Sequence, residues 1–369
     1  MASVRLENLR KKYEDVEAVM GINLDIADGE FMAFLGPSGC GKSSTMRMIA
    51  GLEDITAGSI YFDGKRINAV RPRDRKVAMA FETYALYPTL SVYENLAFPL
   101  RAAKWSKDQL DKRVREIAEI MWIADLLDRK PHELSSGQQQ SVGLARALTR
   151  EPAVFLLDEP ISHLDTRQRI QMRAYLKSLH LELEYTMIYV THDQEEAMAL
   201  ANRVAVMNLG LINQVGTPDE IFNNPADTFV AGFIGEPPMN FLNCEYVQKI
   251  EQGFLKYNGI MMDMPPQYQP LIQKTEIPER VILAVRPFYI DIGLEKSTRH
   301  TIPAEVFIVE PLGDISIVSV DVLETRLQIV TQPDFRAEAK QQIWLAFDPS
   351  RTLLFDAETE EAVSVPVQD

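Results

Sequence analysis

Apolar and polar residues alternate near the start of the chain, as in Val4-Arg-Leu-Glu and Gly21-Ile-Asn-Leu-Asp-Ile. A period of two is what antiparallel strands show when one face is buried. Residues 31–35, Phe-Met-Ala-Phe-Leu, are apolar without a break, the pattern of a strand covered on both faces. A Gly-rich turn leads from them into a helical pattern over 44–52. From about 88 to 150 the period becomes helical, with amphipathic segments at 108–122 and 138–149. A strand is expected at 77–81 and further buried strands at 153–157 and 186–190, these two separated by a long helix over 167–183. Strand, helix, strand at that spacing implies a right-handed parallel crossover.

The pattern changes near Gly235-Glu-Pro-Pro-Met. Beyond it, short β-rich segments at 281–285, 301–309 and 315–320 are parted by turn residues, which suggests a small barrel or sandwich. Two domains are expected, 1–235 and 236–369, with a helical subdomain over about 88–150 in the first. Length agrees: 369 residues, at ~100–200 per domain, make two or three.

Charge narrows the function. With 38 Lys+Arg against 53 Asp+Glu the net charge is −15, which argues against a nucleic-acid partner and against adhesion to an anionic membrane by charge alone. No uncharged apolar run approaches the ~18–20 residues that span a bilayer, and Met1-Ala-Ser-Val-Arg-Leu-Glu has no apolar stretch of signal-peptide type. Two cysteines, Cys40 and Cys244, are too few for a disulfide framework or a zinc knuckle. A cytoplasmic protein is expected.

Candidate chemistry begins at Gly36-Pro-Ser-Gly-Cys-Gly-Lys-Ser, which fits G-x-x-x-x-G-K-[ST] in full and lies between a buried strand and a helix. Glycines let the backbone N–H groups turn inward around a β-phosphate, and the helix starting near Ser43 adds its positive end. Lys42 supplies a point charge to the β and γ oxygens, and the Ser43 hydroxyl a ligand to Mg2+. Cys40 reads as a loop residue whose backbone matters, with a redox thiol as the alternative. Downstream, Phe155-Leu-Leu-Asp-Glu puts Asp158 and Glu159 at the C-terminal end of a buried strand, the edge where open parallel sheets bind ligands. Asp158 is expected to hold Mg2+ through water and Glu159 to polarise the attacking water; helix capping is the bland alternative. His192 ends the next strand and can reach the γ-phosphate.

These residues resemble the ATP-binding-cassette (ABC) ATPases, and more narrowly the subunits that energise bacterial sugar and polyol importers of the maltose type. Leu134-Ser-Ser-Gly-Gln, with Leu144-Ala-Arg-Ala-Leu after it, is similar to the family's signature motif. Ser162-His-Leu-Asp resembles the D-loop, and Tyr13 sits where the family stacks an aromatic ring on adenine. Ala85-Leu-Tyr-Pro and Ser91-Val-Tyr-Glu-Asn look like the segment that meets the permease. The resemblance implies an α/β P-loop NTPase with antiparallel β and helical subdomains, followed by an all-β OB-like regulatory domain. It implies nucleotide contacts from Tyr13, Gly36, Pro37, Ser38, Gly39, Cys40, Gly41, Lys42, Ser43, Ser44 and Glu82. Ser135, Gly137, Gln138 and Asp165 would face the nucleotide of a second ATPase subunit, and Ser43, Glu82 and Asp158 would serve Mg2+. Two membrane-spanning permease subunits, an external binding protein and a peripheral place on the cytoplasmic face of the bacterial inner membrane follow from the same resemblance. Cargo other than sugars or polyols (spermidine, iron, sulfate) and a weakened regulatory subunit are the alternatives.

The chain departs from the family pattern in two places. Glu82 stands where most members have glutamine, and Ser136 replaces the first of two glycines, with Gln-Gln-Ser at 139–141 in place of a usually basic stretch. A homodimer would concentrate both changes in each composite site, which leads the sequence reading toward a heterodimer with a related chain.

Overall fold

Five apolar residues in succession need cover on both faces, and the centre of a parallel sheet supplies it. In the computed structural model, which describes residues 2–249, 252–274 and 277–364, the chain forms two compact units, Met1–Asp219 and Glu220–Asp369. The first opens with strands β1 (Val4–Tyr13) and β2 (Val16–Ile26), followed by β3 (Phe31–Leu35), in which every residue is buried. Helix α1 (Lys42–Ala50) precedes β4 (Ala57–Phe62), β5 (Lys65–Arg66) and β6 (Val77–Ala80). The helical segment holds α2 (Val92–Ala102), α3 (Lys107–Ile120) and α4 (Ser136–Leu148). Then come β7 (Val154–Asp158), α5 (Thr166–Leu183), β8 (Met187–Thr191), α6 (Gln194–Leu200), β9 (Arg203–Asn208) and β10 (Leu211–Gly216).

Two sheets result. One is antiparallel, in the order β2-β1-β4-β5; the other runs β10-β9-β3-β8-β7-β6. In the larger sheet β9, β3, β8, β7 and β6 are parallel, with Phe31 opposite Met187, Phe155 opposite Met187 and Val77 opposite Val154. Phe34, Leu156, Ile188 and Val190 pack with Met46 and Ile49 of α1 in one core, and each large apolar side chain so buried contributes about 1.5–3 kcal/mol. The C-terminal ends of β3, β8, β7 and β6 therefore open along one edge. Start signals for the helices are local: Ser91 and Glu94 form a reciprocal capping box on α2, and Ser135 and Gln138 form another on α4.

The second unit holds α8 (Thr228–Phe233), reached through α7 (Pro218–Asn223), and then two five-stranded antiparallel sheets. One sheet joins β11 (Asn240–Lys249), β12 (Gln252–Tyr257), β13 (Ile260–Asp263), β14 (Arg280–Val285) and β20 (Thr352–Asp356). The other joins β15 (Ile290–Gly293), β16 (Ile302–Pro311), β17 (Ser316–Val322), β18 (Thr325–Thr331) and β19 (Gln342–Phe347). Leu242, Leu283 and Leu354 of the first meet Val318, Leu327 and Leu345 of the second in a shared core. Residues 220–235, which the composition pattern groups with the first domain, fall in the second unit. The buried Arg286 guanidinium explains this, because it donates to the carbonyls of Phe222 and Ile234.

Candidate functional site

The turn after β3 is shaped by positions where a β-carbon does not fit. Gly41 has φ +104°, and a β-carbon there would stand 2.5 Å from the Ala18 carbonyl oxygen. Gly41 is also the N-cap of α1 and provides no side-chain acceptor, so no capping side chain occupies the helix start, where an anion can be received. Lys42 is buried, and its Nζ donates to the carbonyls of Gly36 (2.7 Å) and Pro37 (2.9 Å). Burial pushes the Cys40 thiol up against the opposing charge of Lys42. A thiol kept neutral in this way is a poor nucleophile, which agrees with a backbone role for that residue.

Ser43 is the next link. Its hydroxyl donates to Asp158 Oδ1 at 3.0 Å, tying the start of α1 to the end of β7. Burial holds the Asp158 carboxyl above its ordinary value, with the charges of Glu82 and Glu159 adding to the rise and Ser43 and Arg47 opposing it. Glu159 follows in a left-handed backbone conformation, φ +45°, with its N–H donating to the Val190 carbonyl at 2.9 Å. Its Oε1 lies 3.0 Å from Nδ1 of the exposed His192. Glu82 is exposed just beyond β6 and acts electrostatically on Asp158. The Tyr13 hydroxyl donates to Ser44 Oγ at 3.3 Å.

Lys42, Ser43, Asp158, Glu159, His192 and Glu82 are thus brought to one sheet edge, beside Gly36–Gly41, with Tyr13 joined through Ser44. Ser135 and Gln138 cap α4, and Asp165 caps α5 by accepting from the Gln168 N–H at 2.8 Å. Among the described residues none of the hydrogen bonds of Ser135, Gly137, Gln138 or Asp165 reaches the phosphate loop. Chemically the edge can hold a polyphosphate on a helix N-terminus and a lysine, and can aim a carboxylate–imidazole pair at a water.

Comparison with known proteins identifies the chain. Residues 19–162 match the family model described as "ABC transporter", and 278–355 match the "TOBE domain". The trehalose/maltose import ATP-binding protein MalK of Thermococcus litoralis is 44% identical over 98% of this chain and 100% of its own length. This chain belongs to the ABC transporter ATP-binding proteins. The oligosaccharides import ATP-binding protein MsmX of Bacillus subtilis is also 44% identical, over 98% of this chain and 99% of its own. The sulfoquinovosyl glycerol transport ATP-binding protein SmoE of Agrobacterium fabrum is 42% identical over 98% and 100%. A solved dimeric ATP-binding cassette in a post-hydrolysis state, bound to ADP and Pi, is 31% identical with a TM-score of 0.55, covering 58% of this chain and 98% of that one.

In this ABC ATP-binding subunit several side chains around the site have structural roles that their motifs do not announce. Buried Asn95 accepts from the Tyr87 N–H (2.9 Å) and donates to the carbonyls of Tyr87, Leu90 and Ser91, knitting the turn before α2. Arg146 donates to the carbonyls of Ala85 (2.8 Å) and Tyr84 (3.1 Å), two non-glycine residues at φ +46° and +62°. Arg75 and Gln140 act on other backbone segments. The sequence carries little signal for these two, since Arg75 lies in the charged run Arg73-Asp-Arg-Lys76 and Gln140 in the polar run Gln138-Gln-Gln-Ser141. A groove of about 940 Å³ beside this segment is lined by Met79, Phe81, Tyr87, Phe98, Trp105 and Arg146, among others.

Proposed function

We propose that this ABC ATPase energises import of a carbohydrate or polyol by binding and hydrolysing Mg-ATP at the edge described above. The observation that supports it most is the Ser43–Asp158 bond beside the Glu159–His192 pair, an arrangement suited to binding phosphate next to a water-activating group. The sugar-import descriptions of MalK and MsmX, at 44% identity along almost the whole chain, support the cargo class.

In this reading the backbone N–H groups of 36–43 and Lys42 hold the triphosphate, and Tyr13 takes the adenine. Glu159 accepts a proton from the attacking water, while His192, hydrogen-bonded to Glu159, orients the γ-phosphate. The oxygens of Ser43 and Asp158, with Glu82 beside them, are hard donors that fit Mg2+, which when bound neutralises charge on the phosphate oxygens. Ser135, Gly137, Gln138 and Asp165 of one subunit complete the site of another. The solved cassette at 31% identity is described as dimeric, and nothing in the comparisons favours a sister chain, so two copies of this chain are the simplest pairing. Co-purification that returned a second, related chain would overturn the homodimer. The groove by Tyr87 and Phe98 is the natural seat for a membrane permease. Among the described residues no helix is long and apolar enough to cross a membrane. In this reading the subunit sits on the cytoplasmic face of the inner membrane through the permease. The all-β unit is the regulatory domain.

Two substitutions test the chemistry. Lys42→Ala should lose ATP binding. Glu159→Gln should bind ATP and turn it over about 10²–10³-fold more slowly. Transport at the parental rate in Glu159→Gln would sink the assignment.

A further inference from the structure

Every third residue of α4 from Gly137 to Arg146 faces the loops that leave β6 and β7, a ridge of the kind helices use in close packing. A β-carbon at Gly137 would stand 3.2 Å from the His163 carbonyl oxygen, and one at Gly143 would stand 3.1 Å from that of Tyr84. The His163 ring meets the Tyr84 ring edge-on, with centroids 5.7 Å apart. Between these approaches lies Gln140, only 2% exposed. Its Nε2 donates to the Glu159 carbonyl (2.9 Å) and to Ser162 Oγ (3.2 Å), and its Oε1 accepts from the His163 N–H (2.8 Å).

The target of those bonds is significant. Glu159 is a non-glycine residue at φ +45°, a sparsely populated conformation that persists only when its surroundings hold it. Its N–H is fixed by the Val190 carbonyl, and its own carbonyl by Gln140 and by the Ser162 hydroxyl (3.1 Å). Both flanking peptide groups are therefore anchored, and the side chain between them is aimed at His192. One anchor comes from the sheet and the other from the helix that begins with the signature turn.

We propose that Gln140 is a positioning residue for Glu159, coupling the placement of the signature helix to the aim of the carboxylate in the same subunit. Since the signature turn faces a neighbouring subunit's nucleotide in the reading above, Gln140 links one site's closure to the other site's chemistry. The inference rests on Glu159 as the residue that activates water.

The test is a kinetic double-mutant cycle on the full-length chain, with [γ-32P]ATP as substrate. Gln140→Met keeps the length and removes every hydrogen bond. It should lower kcat about 10–100-fold, since a displacement near 1 Å costs on that order, with KM within about twofold. In the Glu159→Gln background the same change should alter the residual rate by less than about twofold, because groups that act as a unit are not additive. The isosteric Gln140→Glu keeps the acceptor for His163 but loses the donor to Glu159, and should show the same split if the methionine variant fails to fold. A parental kcat in Gln140→Met, or an equal proportional fall in both backgrounds, overturns the inference while Glu159→Gln itself stays slow. A parental rate in Glu159→Gln alone overturns the water-activation reading and this inference with it.

Discussion

Arg75 offers the sharpest test of how the phosphate-loop helix is held. Its guanidinium is 7% exposed, and burial lowers its pKa. Among the described residues no carboxylate pairs with it; its partners are carbonyls. Nη1 donates to Met48 (2.7 Å) and Ile49 (2.8 Å) at the C-terminus of α1, Nε to Val70 (2.9 Å) and Nη2 to Asn68 (3.3 Å). Bonds from a charged donor contribute roughly 1.5–3 kcal/mol each, and a cation at a helix C-terminus adds up to ~2 kcal/mol. Desolvating the charge takes back several kcal/mol. Arg75→Met should therefore cost about 2–4 kcal/mol, which for a unit of this size lowers Tm by roughly 4–16 °C. Calorimetry gives the transition, and fluorescence assigns it, since Trp105 and Trp122 lie in the first unit and Trp344 in the second. Gly51 supplies the cross-check: at φ +77°, a β-carbon would stand 2.6 Å from Arg75 Cζ and Nε. Gly51→Ala should cost less in the Arg75→Met background, where only the backbone strain remains. A methionine variant within about 0.5 kcal/mol of the parent would refute the reasoning, as would strict additivity of the two changes.

Two further outcomes are expected. Glu82→Gln removes one of the charges that hold Asp158 up and restores an N–H donor; it should raise ATPase activity in the assembled transporter and flatten the Mg2+ dependence, and identical curves for the two proteins would leave position 82 a mere hinge. Burial pushes the Cys244 thiol up to about 12, so the thiolate is scarce until pH approaches that value, and alkylation of this residue at pH 8.5 should run roughly a thousandfold slower than in the urea-unfolded chain; comparable rates would contradict the burial.

Apolar periodicity located nearly every element around the site, because strands 31–35, 153–157 and 186–190 are buried on both faces and leave an unbroken apolar signature. Edges moved by a residue or two. The phosphate-loop helix begins at Lys42 rather than 44, since its N-cap is a left-handed glycine that carries no hydrophobic signal. Lys42, Glu82, Glu159 and His192 were legible as candidates because each lies in, or ends, the loop that follows a strand, whereas Ser135, Gly137, Gln138 and Asp165 start helices and entered only through the family resemblance. The roles of Gln140, Arg146, Arg75 and Asn95 were not, because their partners are mostly backbone carbonyls and N–H groups, and a sequence pattern does not record which carbonyl a polar side chain will meet. The same holds for Arg286: its grip on residues 222 and 234 is a tertiary fact, whereas the composition shift lies at 235.

The order β3, β8, β7, β6 within one sheet makes the backbone hydrogen bond a ruler for the chemistry. The loops carrying Lys42, His192, Glu159 and Glu82 leave successive strands, so they stand one, two and three intervals of about 4.8 Å from the first. Chain length between them is irrelevant to that measure. Insertions in the helical connections can accumulate without detuning the distance from phosphate to carboxylate, whereas a slip of one residue in register would move a whole loop by about 3.3 Å along the sheet. The freedom to vary the helical connections and the rigidity of the strand ends are thus two aspects of one lattice.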